Sequence, residues 1–168
     1  AMKRFKKVLA LVLAGVLALA MLTACGETDS DKLIPADGSY EIVKAINDEA
    51  VKNGKAEVMY SVKYSEVTRN LLKNWLEYRS PVTNSEAYKA GYKAAVKDLG
   101  NTKIVIGLVD ENTVVASTSS TAYLTTANSA FKASTIVADD NYNAANRVGV
   151  AYFTSGATTY RLVCLFHE

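Results

Sequence analysis

The sequence predicts an α+β fold: a three-layer α/β/α sandwich with a mainly antiparallel sheet that ends in a C-terminal β-hairpin. Three observations predict it. From residue 39 onward the first half of the chain carries apolar side chains at steps of three and four, the helical period. The second half instead carries short runs that are apolar on both alternating faces, which marks strands buried on both sides. Two of those runs flank a Ser-Gly turn at the C-terminal end, so they pair as a hairpin.

The elements follow in order. Residues 40–53 put Val43, Ile46 and Ala50 on one helical face, and Gly54 ends the segment because it accepts a left-handed backbone. Residues 61–79 hold the strongest period in the chain, with Tyr64, Val67, Leu71, Trp75 and Tyr78 in one stripe before Pro81. A third helix over 85–99 aligns Tyr88, Tyr92, Val96 and Leu99 ahead of Gly100. Strands are expected at 103–109, 147–153 and 160–166, the last two joined through Thr154-Ser155-Gly156-Ala157. Between them, 121–132 predicts a weaker helix on Tyr123, Ala127, Ala130 and Phe131, with its threonines acting against it. About 130 residues from Ser39 to the end suffice for one domain with its own core.

Ahead of that domain lies an address. Lys3, Arg4, Lys6 and Lys7 precede an apolar stretch from Val8 to Leu22, the charge order of a secretory signal, and 15 residues are short for a permanent span. The stretch ends in Leu22-Thr23-Ala24-Cys25-Gly26. This resembles the lipobox of bacterial lipoproteins, which implies cleavage before Cys25 and a diacylglycerol on its thiol. The expected divisions are a signal peptide at 1–24, a lipidated N-terminus and polar tether at 25–38, and a globular domain at 39–168. The expected location is the extracytoplasmic face of the cell membrane.

Charge and cysteine content narrow the function classes. The chain has 19 Lys and Arg against 17 Asp and Glu, and without the four basic residues of the signal the balance is 15 against 17. The basic excess therefore belongs to the targeting segment, and the rest carries no basic run suited to nucleic acid. With Cys25 lipidated, Cys164 is left unpaired among Leu162, Val163, Leu165 and Phe166, where a buried inert thiol is expected. Cys164 and His167 lie an odd number of residues apart on a strand, so they face opposite ways and make a poor dyad. Asp139-Asp140-Asn141 lacks the ligand spacing of a calcium loop and reads as a solvated turn. No phosphate-binding or dinucleotide glycine loop is present, and no cofactor is expected.

One family resemblance spans residues 39–166. Ile46-Asn47-Asp48-Glu49-Ala50, then Asn53-Gly54-Lys55 and Tyr60-Ser61, are similar to the opening of the CAP superfamily (cysteine-rich secretory, antigen 5 and pathogenesis-related domains) in its short bacterial form without disulfides. Glu111-Asn112 resembles the Glu-Asn of that family's Gly-Glu-Asn motif, with Asp110 in place of the glycine. The closest resemblance is Ser129-Ala130-Phe131-Lys132, Ile136-Val137, Tyr142, Val148-Gly149-Val150-Ala151-Tyr152 and a hairpin ending in Leu165-Phe166. The sequence departs from the pattern at Ala50, where the family has arginine, and in placing a helix at 85–99 ahead of the Glu-Asn pair. The resemblance implies a central cleft, which in many family members is lined by two histidines and two acidic residues that can bind a divalent cation. Here Lys132 stands at a histidine position and His167 is the only histidine, so no metal site is expected.

Two readings of Glu111 stand: a cleft carboxylate paired with Lys132, or a turn residue between two strands. The function expected is that of a non-catalytic binding module tethered to the membrane by diacylglycerol. It would offer a surface rich in the chain's ten tyrosines to a small apolar ligand, a lipid, or an envelope or host protein. The alternatives are a cleft hydrolase using Glu111 as general base, and a structural component of the envelope.

Overall fold

Nearly every buried strand position of this chain is organised around its last two strands. A computed structural model describes residues 34–35, 37–79, 84–115, 117–118 and 121–168. The expected signal segment, Cys25, most of the expected tether and Pro81 lie outside them.

Among the described residues the chain forms four α-helices, one short 3₁₀ turn and five strands in a mixed sheet. Helix α1 spans Ser39–Lys52 and begins where Asp37 Oδ1 accepts from the Ser39 amide at 3.0 Å and from its hydroxyl at 2.5 Å. Strand β1, Met59–Tyr60, is followed at once by α2, Val62–Glu77, whose N-terminus is capped by Ser61 Oγ accepting from the Tyr64 amide at 3.2 Å. Helix α3 runs over Ser85–Val96 and strand β2 over Lys103–Ile106. Then come β3, Leu124–Thr126, helix α4, Ala133–Ala138, the 3₁₀ turn Asp140–Ala144, and the hairpin β4, Arg147–Ser155, with β5, Thr158–His167.

The expected helix over 121–132 is corrected. Its middle is β3, which pairs antiparallel with β5 (Leu124 opposite Leu162, Thr125 opposite Arg161, Thr126 opposite Tyr160), and the helix begins only at Ala133. The β-branched threonines that weaken a helix favour the strand, and β5 offers open backbone at that point because β2 pairs only with its far end, Leu165 to His167. Strand β2 is shorter than the expected 103–109. A register shift between Ile104 and Ile106 bends it, and the Leu108 carbonyl accepts from Tyr92 Oη at 2.8 Å instead of joining the sheet.

The sheet order is β1-β4-β5-β2, with β3 also on β5; β1 runs parallel to β4 and the other pairings are antiparallel. The hairpin turn is Gly156-Ala157, and Gly156 alone has positive φ (64°), the pattern of a type II′ turn. Alternation along the strands sends side chains into two apolar clusters. One joins Ile42, Val43, Ile46 and Ala50 of α1 and Ile136 and Val137 of α4 to Val148, Val150, Val163 and Leu165. The other joins Tyr64, Val67, Leu71 and Trp75 of α2 and Tyr88 and Tyr92 of α3 to Leu162, Cys164 and Phe166. The bend in β2 explains how Ile104 enters the second cluster and Ile106 the first.

Gly149 decides how close α2 approaches. A Cβ there would lie 2.5 Å from the Tyr64 carbonyl oxygen and 2.6 Å from Thr68 Oγ1, so the Val-Gly-Val motif is a place where helix backbone meets strand backbone. Among the described residues no helix is long and apolar enough to cross a membrane.

Candidate functional site

Strand β3 and the chain after it build a groove. After Thr126 the backbone turns, with Ser129 N–H donating to the Thr126 carbonyl at 3.0 Å, and reaches Lys132 just ahead of α4. Thr118, Thr121, Thr125, Ser129, Lys132 and Thr135, with two alanines, line a depression of about 450 Å³. That volume lies within the range of small-molecule sites. Hydroxyls dominate the lining, and Lys132, an exposed residue, supplies its one charge.

Directly behind this lining lies Arg161. It is 5 % exposed, and its Nη2 donates to Thr125 Oγ1 at 3.0 Å and to the Ser129 carbonyl at 3.2 Å. Its guanidinium also lies 5.2 Å from the centre of the Phe131 ring, a cation–π contact. The pairing of β3 with β5 places it there, since Thr125 sits opposite Arg161. Burial pushes the Tyr152 hydroxyl above the usual phenol value, while Arg161, its neighbour across the hairpin, pulls the other way by charge and hydrogen bonding. Arg161 belongs to no motif, and its signal in the sequence is a lone cation inside the apolar run Tyr160-Arg161-Leu162-Val163.

The structure does not bring Glu111 to Lys132. Glu111 sits in the turn after β2, where Asp110 Oδ1 accepts from the Asn112 amide at 2.7 Å, and its carboxylate pairs with Lys93 of α3 at 3.2 Å. Lys93 is exposed and Glu111 half-buried, so solvent partly screens the pair. It borders a separate groove with Tyr92, Val96, Leu99 and Ile104. The turn reading of Glu111 is the one that matches this geometry, and the paired cleft carboxylate is corrected.

Cys164 is fully buried, and burial pushes its thiol up to about 12. It is protonated and a poor nucleophile at neutral pH. His167, on the same strand, is exposed, and its Nδ1 lies 2.7 Å from the Ala144 carbonyl. Asp139 Oδ1 accepts from the Asn141 amide at 2.8 Å, capping the 3₁₀ turn. Among the described residues no three His, Cys, Asp or Glu side chains gather closely enough to hold a metal ion. Tyr88 Oη is buried without a hydrogen-bond partner, and burial pushes it up to about 12.

Comparison with protein-family models, with curated proteins and with solved structures finds no match to this chain.

Proposed function

We propose that the chain is an extracytoplasmic lipoprotein, anchored through diacylglycerol on Cys25, whose CAP-like three-layer sandwich is a non-catalytic binding module. The observation that carries the binding half of this reading is the hydroxyl-lined groove bordered by Lys132, the position at which the resembled motif has histidine. An ammonium group there repels a metal ion and attracts an anion, so it suits holding a ligand. The separation of Glu111 from this groove takes away the partner that a hydrolase reading needs. Helices packed against two apolar clusters that share the strands of one sheet support the sandwich. The lining favours polar ligands over the apolar ones that the sequence also left open.

The anchoring half rests on the basic residues, the apolar stretch and Leu22-Thr23-Ala24-Cys25. Expressed in a bacterium with radiolabelled fatty acid, the chain is expected to carry label and to sediment with membranes, and Cys25→Ser to lose the label. Undiminished labelling of Cys25→Ser sinks the anchor.

A further inference from the structure

The groove beside Lys132 has two cations, one on its border and one behind its wall, and no carboxylate among its lining residues. Arg161 is buried, yet no carboxylate of the described residues lies within ion-pair reach of it; its partners are the Thr125 hydroxyl, the Ser129 carbonyl, the Tyr152 hydroxyl and the Phe131 ring. Asp37 and Glu41 lie near enough to act on the Tyr152 hydroxyl, and neither pairs with Arg161 or Lys132. A buried charge without a counter-charge leaves a positive field in its surroundings, and a neighbouring anion relieves it.

The hydroxyls turn that field toward the groove. Thr125 Oγ1 accepts from Arg161, so its own O–H is free to donate to a ligand. Thr121 is arranged the opposite way: its O–H donates to the Leu124 carbonyl at 2.9 Å, leaving its oxygen to accept. The Thr135 hydroxyl lines the groove and has no hydrogen-bond partner among the described residues. Donors and acceptors interspersed around a positive centre match a molecule that carries one anionic group and several hydroxyls.

We infer that this groove binds a small hydroxylated anion, a sugar acid or sugar phosphate, with the anionic group held by Lys132 and Thr125 over the field of Arg161 and the ligand hydroxyls met by Thr121 and Thr135. The inference rests on reading the groove as a binding site and adds the class of ligand.

The test uses the full chain in non-ionic detergent, titrated calorimetrically at constant ionic strength with glucuronate, glucose 6-phosphate and glucose. Saturable binding of at least one anionic sugar, at least ten-fold tighter than glucose, is the expected result, and the two anions rank carboxylate against phosphate. Lys132→Gln, an exposed change that leaves the thermal melt unaltered, is expected to weaken the anion at least five-fold, and Thr125→Val to weaken it comparably. Glucose bound as tightly as the anions, and weakened by Thr125→Val, overturns the charge argument and leaves the groove a binding site. Binding of none of the three sugars, or anion binding indifferent to Lys132→Gln, overturns the inference, while fatty-acid labelling of Cys25 reports on the anchor independently.

Discussion

Two arginines on adjacent strands of the hairpin are buried to nearly the same degree, Arg147 at 8 % and Arg161 at 5 % exposure, yet their surroundings differ in kind. Arg147 Nη2 pairs with the Glu168 carboxylate at 2.9 Å, and that carboxylate also accepts from Tyr64 Oη at 2.8 Å, while Asn146 Oδ1 accepts from the Glu168 amide at 2.9 Å. This is a closed network that ties β4, β5 and α2 together. Among the described residues Arg161 meets neutral oxygens and an aromatic ring, behind a solvent-accessible groove. The contrast teaches that burial of a cation does not by itself distinguish a structural role from a ligand-facing one. What distinguishes them is whether the protein supplies the anion.

Alkali gives the largest effect and acts on groups other than the two arginines, so it sets the background for comparing them. Burial pushes Cys164, Tyr88 and Tyr142 each up to about 12, against ordinary values of 9.0 for the thiol and 10.0 for the phenols. Between those values and about 12 the unfolded chain has released these protons and the folded chain still holds them. The unfolded state then binds fewer protons, and stability falls as pH rises. Urea midpoints are expected to be level with respect to these groups below the thiol's ordinary value and to drop steeply above it. Tyr142 belongs to one apolar cluster and Tyr88 and Cys164 to the other, so variants at the two arginines should drop in parallel with the parent. Divergent slopes would show that the arginines couple to these groups.

Replacing Arg147 with Met removes the counter-charge of Glu168 and is expected to cost about 2 kcal/mol in urea denaturation, below the usual cost of breaking a buried pair because the carboxylate is 42 % exposed. Tyr64→Phe deletes one donor to the same carboxylate while keeping the ring stack on Phe166, with an expected loss of about 1 kcal/mol. Arg161→Met is expected to shift stability by less than about 1 kcal/mol in buffer free of binding anions, because relief of an unpaired buried charge offsets the lost hydrogen bonds. A loss as large as that of Arg147→Met would erase the distinction between the two sites.

The sequence made the long elements legible for reasons the structure bears out. Helix α2 follows from Tyr64, Val67, Leu71 and Trp75, all buried on one face, and β4 and β5 follow from runs apolar on both sides. Strands β1 and β3 went unread because two or three residues hold no period, and their pairing is decided by which stretch of β4 or β5 remains open. At the candidate site Lys132 was available from the sequence as a residue of the resembled pattern. Its separation from Glu111 was not, because Glu111 finds its cation on α3, Lys93, a helix to which no motif tied it. Arg161 escaped notice because its significance depends on what lies across the strand pair, and a linear pattern of hydrophobicity does not contain that.

The brevity of β3 has a consequence for motion. Its three residues hold the groove wall to β5 through the register Leu124 to Thr126, whereas the hairpin of β4 and β5 is laddered along its whole length and pressed against α2 at Gly149. On the groove side β3 is therefore expected to open before the hairpin, with its amide hydrogens exchanging with solvent sooner than those of Val148 to Ala151. If the groove binds as proposed, occupancy is expected to slow exchange at Thr125 and Thr126 and leave the hairpin unchanged.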